Sequence, residues 1–135
     1  MYLGLFGRAG IGLGLALFAT WPAATQQPNP LGQLERGLWQ LRQGDVAIGS
    51  ICLGDPLLLA QPEHGPQPCT RELLSADARS VTVNYSCPGM GRGRTVLRVE
   101  TPRLVQIDSQ GIYSNAPFGL RAEARRVGPC RPARR

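Results

Sequence analysis

The chain has 135 residues, enough for one small domain, and carries a formal net charge of +6. All 15 basic residues are arginines scattered along the chain, which argues against a dedicated nucleic-acid-binding domain. The four cysteines form no CxxC pair and the single histidine offers no second ligand pair, which argues against zinc. We therefore expect no cofactor, no metal and no nucleic-acid partner.

Residues 1–25 have the pattern of a secretory signal peptide. A single early Arg8 precedes an apolar run from Ala9 to Ala19, and small residues follow just before position 25. The run is too short for a spanning helix, which needs about 20 residues. We expect export to the periplasm or the medium. Because Pro22 fits a cleavage site poorly, an uncleaved N-terminal anchor stays open.

Residues 26–33 are rich in Pro and Gln, which predicts a linker without a core-forming pattern. An ordered domain is expected over 34–130. It begins with two strands, Leu38–Gln43 and Val46–Cys52, joined by a Gly-Asp turn at 44 and 45. The sequence therefore predicts a first β-hairpin.

The next segment predicts one short helix and then a loop. Asp55 can cap this helix with Pro56 at its first position and three leucines behind it. Further prolines end the helix within one or two turns. His64, between two of these prolines, is expected to be an exposed loop residue.

The stretch from Cys69 to Cys87 predicts a hairpin with its turn between Ser75 and Ser80. Symmetric pairing about that turn places the two cysteines opposite each other. In the second arm, alternate residues share one face: Val81, Val83, Tyr85 and Cys87.

Four cysteines in an exported chain are expected to form two disulfides. The hairpin register selects Cys69 with Cys87 and leaves Cys52 with Cys130. Each bridge is expected to stabilise the fold by about 2–4 kcal/mol.

The remainder of the domain predicts further strands. In order, we expect a Gly-rich turn (Pro88–Arg94), a strand (Thr95–Thr101), a strand (Leu104–Asp108), a turn (Ser109–Gly111), a short extended piece (Ile112–Asn115) and an edge or near-edge strand (Phe118–Val127). Residues 131–135 are expected to be a basic, disordered tail. The fold class is therefore mainly β: a single curved antiparallel sheet or half-barrel of about six to seven strands, with one short helix and two disulfides.

Several local motifs recur in a characteristic order. They are GLW at 37–39, Cys-Leu at 52–53, Tyr-Ser-Cys at 85–87 and RRVGPC at 125–130. In order and spacing, residues 37–130 resemble the bacterial envelope family called domain of unknown function 3617. The resemblance implies a secreted or periplasmic antiparallel β domain and implies no activity, because that family's function is unassigned.

No catalytic residues are expected. Ser50, His64 and Asp77 can be combined into a triad on paper, but no GxSxG elbow supports it. The glycines at 89–93 lack the Lys of a phosphate-binding loop. Nothing in the sequence pairs the carboxylates as acid and base: Glu35, Glu72, Glu100 and Glu123. A hydrolase is therefore only the third hypothesis.

Two binding hypotheses remain. Trp39 is expected in the core beside Leu41, and Trp39 and Tyr85 are the candidates to face a ligand if the sheet curls. The leading hypothesis is a monomeric, non-enzymatic envelope protein that binds an apolar small molecule or another envelope protein. The alternative is an anionic surface, either membrane or nucleic acid, bound by arginines near the C-terminus. These are Arg121, Arg125, Arg126, Arg131, Arg134 and Arg135.

Overall fold

The computed structural model describes residues 19–24 and 28–131. Seven strands and two 3-10 helices follow one another in this order: η1 (Pro30–Gln33), β1 (Gly37–Gln43), β2 (Val46–Leu53), η2 (Pro56–Ala60), β3 (Thr70–Ala76), β4 (Ser80–Cys87), β5 (Gly91–Thr101), β6 (Leu104–Tyr113) and β7 (Ala116–Gly128). Most of the predicted signal peptide and of the basic tail lies outside the described residues. Within the described part, no helix is long and apolar enough to cross a membrane.

All seven strands form one open antiparallel sheet in the order β2-β1-β7-β6-β5-β4-β3. The predicted mainly β class is confirmed, and β2 and β3 are the two edges. β7 was expected at or near an edge, but it lies inside the sheet between β1 and β6. The alternation of apolar and polar residues along β7 indicates that one face of the strand is buried. It does not indicate which strands lie on either side of β7 in the sheet.

One face of the sheet, here called the inner face, carries the core. Two elements before and after the first hairpin cover it: η1 contributes Leu31 and η2 contributes Leu59, which are 3% and 0% exposed. The expectation of a linker over 26–33 is therefore wrong from Pro30 onward, because Leu31 packs into the core. The strands add further side chains to this cluster: Trp39, Leu41, Val81, Val83, Leu97, Val99, Val105, Ile107, Ala122 and Ala124.

The short helix after the first hairpin is confirmed as the 3-10 helix η2. The Asp55 carboxylate accepts a hydrogen bond from the Leu57 N–H at 3.0 Å, as the capping pattern predicted. The same carboxylate pairs with the Arg71 guanidinium at 3.0 Å. Asp55 thus both starts η2 and ties it to the edge strand β3.

The second predicted hairpin is confirmed in its register. β3 and β4 pair with Thr70 opposite Ser86, and a bulge at Leu74 interrupts the pairing before the turn. The disulfides have the predicted connectivity, with Cα–Cα distances of 4.3 Å for Cys69–Cys87 and 5.5 Å for Cys52–Cys130. Two disulfides indicate an oxidising, exported environment.

The predicted turn at Ser109–Gly111 is wrong, because β6 runs through it to Tyr113. A Cβ at Gly111 would lie 2.1 Å from the Arg92 carbonyl oxygen, so this glycine permits close approach of β5. The actual turn is Ser114–Asn115, where φ is 47° and 65°. Two positive φ angles in a two-residue loop make a type I′ hairpin, so the predicted extended piece Ile112–Asn115 is divided between strand and turn.

Candidate functional site

His64 is buried, with 4% of its surface exposed, although the sequence predicted an exposed loop residue. The loop after η2 folds back onto the inner face instead of pointing into solvent. The buried Gln61 side chain fixes this path, because its Nε2 donates to the carbonyls of Gly65 at 2.7 Å and Gln67 at 2.8 Å. The loop thus places the imidazole on the inner face, beside aromatic side chains of β4, β6 and β7.

Three aromatic rings surround the imidazole edge-on. The ring centroids lie 5.2 Å away for Tyr85, 5.0 Å for Tyr113 and 5.9 Å for Phe118. Nε2 lies 3.3 Å from the Met90 carbonyl oxygen and Nδ1 lies 3.1 Å from the Tyr85 hydroxyl. Because a carbonyl only accepts, Nε2 carries the hydrogen, and in the neutral ring the Tyr85 hydroxyl donates to Nδ1. We call this cluster the histidine cage.

A buried polar chain continues from the cage toward η2. Burial raises the pKa of Tyr85, while the neighbouring Ser109 hydroxyl lowers it and the charge of Glu63 raises it further. Ser109 lies 2.7 Å from the Thr95 hydroxyl, which donates to the Ala60 carbonyl at 2.5 Å. These bonds satisfy polar groups under the sheet and join η2 to β5 and β6.

The structure does not bring Ser50, His64 and Asp77 together as a catalytic triad. Both His64 ring nitrogens already have partners other than Ser50 and Asp77, and Ser50 lies on the edge strand β2. The Asp77 carboxylate instead holds the β3–β4 turn. Backbone hydrogen bonds from Arg79 and Ser80 lower the pKa of Asp77.

Two of the four carboxylates do meet, which the sequence did not predict. Gln106 on β6 donates from Nε2 to Glu100 on β5 at 3.4 Å and to Glu123 on β7 at 3.3 Å. Each carboxylate also has a guanidinium partner at 3.0 Å, Arg98 for Glu100 and Arg125 for Glu123. The pair is therefore neutralised by its neighbours and offers no free acid and base.

A groove of about 940 Å³ crosses the opposite face of the sheet, here called the outer face. It runs over β3 to β7 on the side away from the core. We call it the outer groove and define it by six residues that line it: Asn84, Arg92, Arg94, Gln110, Ile112 and Pro117.

Strand register places these side chains side by side. Arg94 lies opposite Asn84 on β4 and Gln110 on β6, which makes one polar row. Arg92 lies opposite Ile112, and Ile112 lies opposite Pro117 on β7, which makes a second row. The sequence predicted turns at Pro88–Arg94 and Ser109–Gly111, whereas Arg92, Arg94 and Gln110 lie on strands β5 and β6. The register then shows which of the outward residues are neighbours.

The histidine cage lies behind the outer groove. A Cβ at Gly93 would lie 2.6 Å from the Tyr85 Cζ, so the phenol ring crosses the inner side of Gly93. The backbone of Tyr85 and of Gly93 lines the groove, while the Tyr85 side chain belongs to the inner face and the residue is 3% exposed. Trp39 is 0% exposed and donates from Nε1 to the Glu35 carbonyl at 2.9 Å. Neither predicted aromatic presents its ring to the groove.

Three of the four described arginines near the C-terminus are paired with carboxylates. The pairs are Arg121 with Asp108 at 3.2 Å, Arg125 with Glu123 at 3.0 Å and Arg126 with Glu35 at 3.7 Å. Arg131 is exposed, and Arg134 and Arg135 lie outside the described residues. The described part of this cluster therefore presents much less free positive charge than its sequence suggests.

Arg92 and Arg94 of the outer groove have no carboxylate partner among the described residues. Arg92 has neither an ion pair nor a side-chain hydrogen bond there. Arg94 donates only from Nε, to the neutral Asn84 amide oxygen at 2.9 Å. Uncompensated positive charge thus lies next to the apolar side chain of Ile112, which is 37% exposed.

Comparison with protein-family models, curated proteins and solved structures gave no match. Among the described residues, no group of three or more His, Cys, Asp or Glu is placed to hold a metal ion. The chemistry that the outer groove offers is recognition, through guanidinium and amide donors beside an apolar patch.

Proposed function

We propose that this protein is a non-enzymatic binding module of the cell envelope whose outer groove holds a small amphipathic molecule. The observation that carries the proposal is the groove itself, which joins two arginines without carboxylate partners to an exposed aliphatic patch on neighbouring strands. Its volume of about 940 Å³ lies within the range of about 300–1,000 Å³ that is usual for small-molecule sites.

The ligand belongs on the outer face because the inner face is already occupied. Leu31, Leu34 and Leu59 from η1, η2 and their flanks pack against the strands, and Trp39 has no exposed surface. An apolar ligand in an inner concavity would have to displace this core. The outer groove is open to solvent and needs no rearrangement.

Amphipathic chemistry follows from the composition of the groove. Ile112 and Pro117 give an apolar strip on β6 and β7, whereas Asn84, Arg94 and Gln110 give donors and acceptors on the adjoining strands. A purely apolar ligand would leave the guanidinium groups without partners. A molecule with a polar head and an apolar tail satisfies both parts.

The compartment is part of the proposal. We place the protein in the periplasm or outside the cell, as the signal-like pattern of residues 1–25 and the two disulfides support. We also propose that it belongs to the domain of unknown function 3617 family, a proposal supported by the motif order of residues 37–130 and by the antiparallel sheet, which that resemblance implies.

The alternatives have weaker support. Binding of anionic surfaces through the C-terminal arginines would need side chains that are engaged with Asp108, Glu123 and Glu35. A hydrolase would need a nucleophile beside a free base, and both nitrogens of His64 are already hydrogen-bonded.

The test is a titration of the folded, disulfide-bonded protein with n-decyl maltoside below its micelle concentration, followed by amide NMR. The largest shift changes are expected along β4, β5 and β6 at the groove, around Gly93 and Gly111. Ile112→Asp should abolish binding, because it puts a charge into the apolar strip.

Val96→Asp is the matched control. Val96 is an exposed aliphatic residue of the same face, 40% exposed against 37% for Ile112, but it does not line the outer groove. Binding should be unchanged in this variant. Shift changes confined to the inner face or to the β2 edge, or equal losses in the two variants, would refute the proposed site.

A further inference from the structure

We infer that the head group held in the outer groove is a phosphate monoester, bound between Arg92 and Arg94. This inference rests on the proposed function and names the chemistry of the ligand for the same site. It starts from the distribution of charge over the sheet. Six arginines of the described part have carboxylate partners within 4.0 Å: Arg71, Arg98, Arg103, Arg121, Arg125 and Arg126.

Among the described residues, Arg92 and Arg94 have no such partner, as is also true of Arg36, Arg42, Arg79 and Arg131, but Arg92 and Arg94 in addition line one groove together. They stand two residues apart on β5, so their side chains leave the same face of the strand about 7 Å apart. Both side chains are long enough to reach a single group between them. Two adjacent guanidinium ions repel each other unless an anion lies between them, and the described part of the chain supplies none.

The geometry of Arg94 is already set for a ligand. Its Nε donates to Asn84 at 2.9 Å, which fixes the plane of the guanidinium and leaves both terminal nitrogens free. A guanidinium held in this way presents a fork that matches two oxygens of a phosphate or carboxylate. Arg92 offers a second, unengaged fork.

The number of charges and donors favours phosphate over carboxylate. A carboxylate has one charge and two oxygens, which a single guanidinium satisfies. A phosphate monoester carries about two charges near neutral pH and three terminal oxygens, which match two guanidinium ions. Two further charged residues line the groove, Arg71 and Glu72. Arg71 is already paired with Asp55, and Glu72, on β3 at the far side of β4 from β5, disfavours an anion bound nearer to that edge.

The second row of the groove determines where the alkyl substituent of the phosphate ester lies. Arg92, Ile112 and Pro117 lie on three successive strands, about 5 Å apart from one strand to the next. A phosphate at Arg92 therefore directs an alkyl substituent over Ile112 and Pro117. The same chemistry is shared by an alkyl phosphate, a phospholipid head with its chain and free inorganic phosphate, so the test separates the tail from the head.

Calorimetry of the disulfide-bonded protein at a pH above about 7 would compare n-decyl phosphate, n-decyl maltoside and inorganic phosphate, all below micelle concentrations. We expect n-decyl phosphate to bind at least tenfold more tightly than the other two. Arg92→Gln and Arg94→Gln should each weaken n-decyl phosphate at least tenfold and leave n-decyl maltoside unchanged. Arg92→Lys, which keeps the charge but loses the fork, should recover only part of the affinity.

Arg98→Gln is the matched control, since Arg98 lies on the same strand and the same face but pairs with Glu100 and does not line the outer groove. Its affinity for n-decyl phosphate should equal that of the wild type. Equal affinities for n-decyl phosphate and n-decyl maltoside, or an equal loss in Arg98→Gln, would overturn the phosphate assignment while the groove stays a binding site. Inorganic phosphate binding as tightly as n-decyl phosphate would overturn the tail placement. Failure of both decyl compounds to bind would overturn the proposed function itself.

Discussion

Replacing Gly93 by alanine tests the packing that joins the outer groove to the histidine cage. In most strands, alanine in place of glycine raises the free energy of unfolding by about 0.5–1 kcal/mol, because glycine loses more backbone freedom on folding. Gly93 does not have a positive φ, so alanine fits its backbone. The added methyl, however, would lie 2.6 Å from the Cζ and Oη atoms of Tyr85, which must then move.

The size of the loss in stability follows from the contacts that are broken when the Tyr85 side chain moves. Overpacking of a buried site costs about 1–3 kcal/mol. Displacing the Tyr85 hydroxyl also removes the 3.1 Å hydrogen bond to His64 and leaves a buried ring nitrogen without a partner, at about 1–3 kcal/mol. After the backbone gain is subtracted, Gly93→Ala should lower the free energy of unfolding by about 1–5.5 kcal/mol.

Urea unfolding followed by tryptophan fluorescence measures this loss. Gly119→Ala is the control, because Gly119 is also a strand glycine with no positive φ, and a Cβ there meets nothing within 4 Å. That variant should be more stable by about 0.5–1 kcal/mol. In a Tyr85→Phe background the hydrogen-bond loss is already present, so Gly93→Ala should cost only about 0–2.5 kcal/mol, which is the overpacking cost less the same backbone gain. The reasoning is refuted if Gly93→Ala is as stable as Gly119→Ala.

Two further predictions concern the covalent and electrostatic parts of the fold. The disulfides close loops of 78 and 18 residues. Removing Cys52–Cys130 by paired alanine substitutions should therefore cost about 4.5 kcal/mol and removing Cys69–Cys87 about 3.2 kcal/mol on the chain-entropy account. Urea unfolding of the two variants measures the order, and a reversed order would contradict that account. The pKa of Asp77 is lowered by two backbone N–H groups of its turn, so its stabilising effect is present above the usual value of 3.8 and is lost as pH falls through the folded value. Asp77→Asn should therefore be less stable than the wild type at neutral pH and match it in strong acid, and a gap independent of pH would argue against this role.

The hairpins were predicted correctly because each is determined by residues that are close together in the sequence. The Cys69–Cys87 register depends only on strand alternation and on a central turn, and both can be recognised in one continuous stretch of sequence. The cap at Asp55 is equally local. Such features need no knowledge of which other strands lie nearby.

Glycine was the main source of error in assigning turns. Gly111 suggested a turn, but its lack of a side chain serves the close approach of β5 to β6. The true turn uses Ser114 and Asn115 in left-handed conformations, which these residues adopt less readily than glycine. A glycine has the same appearance in the sequence whichever role it has, and only the neighbouring strand distinguishes them.

The candidate site could not be predicted because it depends on contacts that are distant in sequence. His64 meets Tyr85 and Met90 across separations of 21 and 26 residues, and no periodic pattern marks its loop as buried. The outer groove likewise depends on the register of β4, β5 and β6. The sequence showed that Arg92 and Arg94 are close together, but not that Ile112 lies beside them.

The Cys52–Cys130 bond has a mechanical consequence. Its two ends stand 78 residues apart, and the chain between them contains β3 to β7, five of the seven strands. A force applied to the chain before Cys52 and after Cys130 passes through the sulfur atoms and cannot stretch that segment. About 270 Å of contour length is thereby withheld from extension. Tension on the protein can therefore peel away the β1–β2 hairpin while the strands that form the outer groove stay folded.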